Sequence, residues 1–229
     1  MGRHDKGLSA GDTPLYYSRQ FSHRLFPHVF PGVHLQENGQ DGKVIYHNRY
    51  RVKRRSVEVE RLRGKIRDIP DFPKPGIVFK DITPLVRDPA ALRLTVHQLL
   101  HPFLGRDITA VASMEARGFI FGSLLAWELG LPFIPLRKPG KLPYDVQTVS
   151  YELEYGSAEL EIHTDAVDAS DKVLLVDDLL ATGGTARAGC ELIEKQGASV
   201  VACAFVIELD FLNGRNLLQG YEVHTLLRY

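Results

Sequence analysis

The chain has 229 residues, 44% apolar and 24% charged, with a formal net charge of zero. That length and mix describe one soluble domain, or one domain with an appendage. No apolar stretch reaches the ~20 residues of a membrane helix. No apolar segment follows Met1 as a secretory signal requires. Two cysteines without a C-x-x-C exclude a disulfide scaffold and a thiolate zinc site. The expectation is a reducing, cytoplasmic compartment with no membrane partner.

Neutrality hides an uneven distribution. Residues 1–60 hold 10 Lys/Arg against 6 Asp/Glu, and residues 61–229 hold 18 against 22. Five of the nine histidines (His4, His23, His28, His34, His47) also fall in the first part. Residues 1–50 keep no sustained period of 3.6 or 2, so 1–60 reads as a basic, poorly ordered extension and 61–229 as the folded domain. A short helix over about 56–67 fits the pattern but buries little.

Beyond it, helix and strand signals alternate. Asp88-Pro89 reads as an N-cap with proline at the first helical position. Leu92, Val96, Leu99, Leu100 and Phe103 then share one helical face. Ile108–Met114 is a short apolar strand. Phe119–Leu129 is apolar nearly all round, the pattern of a buried helix with Trp127 in its packing, and Gly130 stops it. Strands follow at Phe133–Leu136, Lys172–Val176 and Val200–Ile207, with a helix over Ala186–Gln196 whose inner face holds Ala186, Gly189, Cys190 and Ile193. Alternating polarity over Thr148–Tyr155 and again over Ala158–Ile162 reads as a β-hairpin, with Glu154 on its polar face. Strands spaced by helices predict an α/β fold with a central parallel sheet, whose ligands bind at the carboxyl ends of the strands. Cys190 and Cys203 read as core thiols, and the scattered histidines lack ligand spacing.

The strongest local signal is Val173-Leu174-Leu175-Val176-Asp177-Asp178-Leu179-Leu180-Ala181-Thr182-Gly183-Gly184-Thr185. An apolar strand runs into two acids, a small-residue loop and a helix start. Gly183 and Gly184 let the backbone curl so that consecutive N–H groups converge, beside the positive end of a helix. With Ala181 and the hydroxyls of Thr182 and Thr185, that makes a nest for a dianionic phosphate. Asp177 and Asp178 would repel a nucleoside triphosphate but suit a sugar's adjacent hydroxyls, with or without Mg²⁺. A ribose 5-phosphate fits this arrangement. The Walker spacing G-x-x-x-x-G-K is missing, which disfavours a P-loop ATPase.

Two cationic features stand apart from that loop. Arg117 sits where a strand ends and a buried helix begins. Arg137, Lys138 and Lys141 put three cations within five residues, broken by Pro139 and Gly140, and a pyrophosphate is such a cluster's natural partner.

The thirteen-residue string resembles the signature of the type I phosphoribosyltransferases, which use 5-phosphoribosyl 1-pyrophosphate (PRPP). Pro70–Pro84 resembles the opening segment of the adenine phosphoribosyltransferases. Glu115-Ala116-Arg117-Gly118-Phe119 resembles their pyrophosphate loop, and Arg137–Pro143 with Leu153-Glu154-Tyr155-Gly156 their mobile lid. The resemblance runs from about Lys65 to Tyr229. It implies that fold, with an N-terminal hood and a β-hairpin lid over about 138–162, and a homodimer. It also implies the reaction adenine + PRPP → AMP + pyrophosphate with Mg²⁺, in which Asp177 and Asp178 touch the metal only indirectly. It further implies that Glu154 manages a purine proton, Tyr155 helps cap the closed site and adenine stacks beside Phe79. Backbone groups near Val78–Lys80 would read the amino edge of the base. Pro73, Pro75 and Gly76 within Pro70–Pro84 themselves read as an irregular loop with few backbone donors for a ladder.

Two competing readings share this fold. One is a phosphoribosyltransferase for hypoxanthine, guanine, xanthine or orotate, against which Pro70–Pro84 and Leu153–Gly156 argue. The other is a PRPP-sensing transcription regulator, invited by ten basic residues between Lys43 and Arg67. Residues 1–60 lack two periodic helices joined by a tight turn, so no nucleic-acid partner is expected. The extension has no assigned job: flexible tail, oligomer contact, weak polyanion binder and an overcalled start all remain open.

Overall fold

The structure is a computed structural model that describes residues 15–17, 33–37, 44–48, 59–152 and 157–229. It divides into two units, Met1–Arg55 and Ser56–Tyr229. In the first, β1 (Leu15–Tyr17), β2 (Val33–Glu37) and β3 (Val44–Asn48) form an antiparallel sheet in the order β1-β3-β2. The sequence reading places no elements there, because strands of three to five residues are too short for an alternation to stand out.

The second unit begins with a helical turn over 59–63. β4 (Arg67–Pro70) and β5 (Val78–Asp81) follow as an antiparallel pair. Residues 71–77 form the irregular loop the prolines predict, but the reading of Pro70–Pro84 as a poor ladder partner is corrected at β5. Val78–Asp81 contains no proline, and its backbone donors pair with β4. This hood is tied by charge: Arg67 Nη2 lies 2.5 Å from Asp81 Oδ2, and Lys80 Nζ lies 2.7 Å from Asp68 Oδ1. Asp81 Oδ1 also accepts the Thr83 hydroxyl and N–H at 2.6 and 2.9 Å. Those bonds, with Arg67 alongside, lower its carboxyl pKa to about 2.

A short helix α1 (Thr83–Arg87), not anticipated from the sequence, leads into α2 (Pro89–Leu100). Asp88 caps α2 as expected, its Oδ1 accepting the N–H groups of Ala90 and Ala91 at 3.0 and 3.2 Å. The buried face of α2 is centred on Ala91, Thr95, Val96, Leu99 and Leu100, with Leu92 only half-buried. Then come β6 (Ala110–Met114), α3 (Gly118–Leu129), β7 (Phe133–Leu136), β8 (Val146–Glu152) and β9 (Ser157–His163). The unit continues with β10 (Lys172–Leu180), α4 (Gly184–Lys195), β11 (Ser199–Glu208) and β12 (Val223–Arg228).

Five strands build one parallel sheet in the order β12-β11-β10-β6-β7. Strand β10 is its centre, and Val173, Leu174, Leu175 and Val176 are fully buried because the sheet is covered on both faces. On one face α4 packs against β10 and β11, and Gly189 brings its backbone to the side chains of Met114, Leu136 and Leu175. On the other, α3 lies on β6 and β10, with Gly122 against Ser113. β8 and β9 form the antiparallel hairpin the alternation predicts, and it packs on α4. Cys190 and Cys203 are both buried core thiols, with Sγ atoms 3.6 Å apart.

Trp127 departs from the sequence reading: it is 79% exposed. α3 buries Gly118, Phe121, Gly122, Leu125, Ala126 and Leu129, while Ile120, Ser123, Leu124 and Trp127 form the opposite face. An apolar composition all round therefore does not mean that this helix is enclosed by its own chain.

Phe205 is fully buried on β11, beside Asp177 in the strand register. Phe205→Ala should lower unfolding free energy by about 3–5 kcal/mol, read as a lower urea midpoint at unchanged slope.

Candidate active site

The carboxyl end of β10 carries the site. The strand runs to Leu180, beyond the expected Val176, because β11 continues to pair with it through Asp177↔Phe205, Leu179↔Ile207 and Leu180↔Glu208. Asp177 and Asp178 are thus held at the end of a ladder, and both side chains reach the turn at Arg117-Gly118. The chain then turns through 181–183, and Gly183 enters α4 at φ +90°. A Cβ on Gly183 would lie 2.3 Å from the Gly214 carbonyl oxygen. The glycine is required by close backbone approach as well as by its positive φ.

These residues face a cavity of about 380 Å³, within the ~300–1,000 Å³ usual for small-molecule sites. One wall is Asp177, Asp178 and Leu179–Gly183 with Thr185, the second is Glu115, Ala116 and Arg117, and the third is Lys138 with Tyr151, Ala158 and Leu160 of the hairpin. The structure so brings together Arg117, Lys138, Asp177, Asp178, Ala181, Thr182, Gly183 and Thr185. Gly184, the first residue of α4, is not among the lining residues.

Burial, and the neighbouring Asp178, raise the Asp177 carboxyl well above the ordinary carboxylate range. Asp178 is 4% exposed, and burial raises its carboxyl too, opposed by Arg117. Arg117 Nε lies 2.9 Å from Asp178 Oδ2, and its guanidinium sits 5.0 Å over the Phe79 ring. Asp178 Oδ2 accepts no well-aligned hydrogen bond, so this contact is an ion pair by distance. Arg117 therefore spans the acid pair and the hood.

Arg137 departs from its expected place. Its Nε donates to Glu115 Oε2 at 2.6 Å and its Nη1 to the Lys141 carbonyl at 3.0 Å, so it ties the cation loop to the loop after β6. Neither Arg137 nor Lys141 lines the cavity, whereas Lys138 does. Glu161 on β9 braces the same turn: its carboxylate accepts the Gly140 N–H at 3.1 Å, and its backbone pairs with Arg137 in both directions. Val78, Phe79 and Lys80 also lie outside the cavity, on β5, a strand of a two-stranded sheet with one unpaired edge. The Lys80 side chain is engaged by Asp68 and lies 4.0 Å from the Tyr229 ring centre. Glu154 and Tyr155 lie outside the described residues.

Sequence reading misses Tyr151, whose hydroxyl accepts from the Thr185 hydroxyl at 3.3 Å and joins hairpin to phosphate loop. It also misses Glu115 and Glu161. All three sit in the segments singled out, but nothing local marks them, because their partners are 21 to 34 residues away.

The geometry matches a known family. Residues 91–217 match the phosphoribosyl transferase domain. The adenine phosphoribosyltransferase of Methylococcus capsulatus is 72% identical over 171 residues, 75% of this chain and 100% of that protein. That of Nitrosococcus oceani is 72% identical with the same coverage. A crystal structure of adenine phosphoribosyltransferase from Thermoanaerobacter pseudethanolicus superposes with a TM-score of 0.73 at 48% identity, over 75% of this chain and 99% of that one. A parallel sheet ending in a carboxylate pair and a glycine-lined phosphate loop defines a type I phosphoribosyltransferase. Within that class, the chain belongs to the adenine phosphoribosyltransferase family. It is a pentosyltransferase of purine salvage.

The raised Asp177 carboxyl has a consequence for stability. The folded protein keeps a proton that the unfolded chain gives up near pH 3.8, so the contribution is favourable below that value and lost as pH rises through the higher native value. Asp177→Asn keeps an oxygen for the Asp178 N–H, which Asp177 Oδ1 now accepts at 2.9 Å. The variant should therefore melt above the wild type, with a gain that grows as pH rises above 3.8 toward the higher native value. A variant melting below wild type at pH 8 would contradict the sign.

Proposed function

We propose that the chain transfers the 5-phosphoribosyl group of PRPP to N9 of adenine, releasing pyrophosphate and forming AMP. One observation carries the reading: a single cavity is walled by the carboxylate pair, the phosphate loop, two cations and the hairpin. The C1′–oxygen bond to pyrophosphate breaks while the C1′–N9 bond forms, through an oxocarbenium-like state. Ala181–Thr185 hold the 5′-phosphate and so align C1′ with the base. Asp177 and Asp178 hold the ribose hydroxyls and favour the cationic ring. Arg117 and Lys138 face the charge that grows on the departing pyrophosphate. Arg137 acts behind them, through Glu115 and the Lys141 carbonyl, to hold the loop that carries Lys138. Glu154 takes or relays the N9 proton. Phe79 offers a face to adenine, and the unpaired edge of β5 offers backbone groups to its polar rim. The hairpin excludes water that would hydrolyse PRPP.

Among the described residues no three His, Cys, Asp or Glu side chains gather to hold a metal. Mg²⁺ keeps several waters and takes one or two carboxylates plus substrate phosphates. Asp177 and Asp178, two buried carboxyls at the cavity wall, fit such partial ligation through water or ribose. When bound, the ion neutralises pyrophosphate charge.

A base panel with labelled PRPP tests the reading: adenine should be consumed, with hypoxanthine, guanine, xanthine and orotate left nearly untouched. Glu154→Ala should keep PRPP binding by titration calorimetry yet lose most turnover. Equal use of another base, or unimpaired turnover in that variant, overturns the assignment.

The proposal includes a cytoplasmic setting, the usual compartment for a chain whose cysteines are core thiols such as Cys190 and Cys203. It also includes a homodimer. The outer face of α3, with Trp127 79% exposed beside Ile120 and Leu124, has the aromatic and apolar character of an interface core. Wild type should elute at twice the chain mass in light scattering and Trp127→Lys at the chain mass. A monomeric wild type removes the proposal.

A further inference from the structure

After β11 the chain reads Glu208-Leu209-Asp210-Phe211-Leu212-Asn213-Gly214-Arg215. Asn213 turns it at φ +53°, and Gly214 opens a 3₁₀ turn over Gly214–Leu218. Gly214 has its backbone pressed on the phosphate loop. A Cβ there would lie 2.1 Å from the Ala181 carbonyl oxygen and 3.0 Å from Gly183 N, and the Gly183 Cα faces the Gly214 carbonyl in return. These are backbone atoms on both sides, so no side chain can swing away to make room.

The next residue supplies the grip. Arg215 forks onto Glu208, Nε donating to Oε1 at 2.6 Å and Nη2 to Oε2 at 2.8 Å. Its Nη1 donates to the Val223 carbonyl at 3.0 Å and its Nη2 to the Thr225 hydroxyl at 3.2 Å. Thr225 in turn donates to Glu208 Oε2 at 2.9 Å. Glu208 is 3% exposed and stands on the sheet, paired in register with Leu180 and Arg228. The guanidinium is thus locked to two strands by a fork that lysine cannot copy.

We propose that Gly214 and Arg215 are positioning residues for the phosphate loop: the Glu208–Arg215 fork clamps the Gly214 backbone against Ala181–Gly183 and so sets the curl that receives the 5′-phosphate. The proposal rests on the reading of that loop as the 5′-phosphate site. Neither residue touches substrate. The loop's own glycines permit many curls, and the clamp selects one. A loop held about 1 Å from its productive place loses on the order of 100-fold in efficiency.

The test uses the full chain and two probes, ribose 5-phosphate and pyrophosphate, by titration calorimetry, beside steady-state kinetics. Gly214→Ala should weaken ribose 5-phosphate binding and raise KM for PRPP, on the order of 100-fold. Pyrophosphate affinity, KM for adenine and kcat at saturating PRPP should stay within a few fold. Arg215→Lys should shift the same quantities in the same direction by less, and Arg215→Ala by more than Arg215→Lys. The lysine variant carries the test by itself if Gly214→Ala does not fold. Unchanged ribose 5-phosphate affinity in the variants overturns the clamp, as does a parallel loss of both probes, which would mean general collapse. Failure of the wild type to bind ribose 5-phosphate overturns the loop assignment itself, and the clamp with it.

Discussion

Holding two adjacent carboxyl groups away from bulk water at the end of one strand is the constraint around which this domain is arranged. Neither Asp177 nor Asp178 would choose that place, and burial drives both toward the protonated form. They stay because β10 is the middle strand of a five-stranded sheet, with four consecutive apolar residues buried on its two faces. The ladder to β11 continues past the acids to Leu180 and leaves them little freedom to turn outward. Arg117 supplies a partial counter-charge to Asp178.

The same arrangement links the cavity to the hood. Arg117 is at once the ion-pair partner of Asp178 and the cation over Phe79. The Tyr229 ring lies 4.5 Å from the Arg63 guanidinium and 4.0 Å from Lys80 Nζ, joining the hood to the far edge of the sheet. The hood and the acid pair are therefore parts of one network of contacts. The hairpin joins it from above through Tyr151 on Thr185 and Glu161 on Gly140.

Much of this was legible in residue order. The Val173–Thr185 string is legible by itself, since a strand, an acid pair and a glycine loop stand adjacent in the chain. Asp88-Pro89 and Gly130 mark the ends of helices by local rules, and both marks agree with the structure. Trp127 was misread because periodicity reports composition around a helix, not what lies opposite each face. Residue order does not tell Arg137 from its neighbours, because three cations in five residues look equivalent, whereas a glutamate 22 residues earlier claims one of them. β12 and the hood strands were missed because their pairing partners, not their own residues, make them strands.

Local chemistry by itself determined the class of fold, the phosphate loop and the acid pair, because each rests on residues adjacent in the chain. Only the tertiary structure decided which cations face the cavity, which helix face stays open and what stands behind the phosphate loop. Those outcomes depend on partners brought together by the parallel sheet, whose strand order β12-β11-β10-β6-β7 is not the order of the chain. Gly214 lies about thirty residues beyond the loop it touches, and only the return of the chain after β11 places the two backbones against each other.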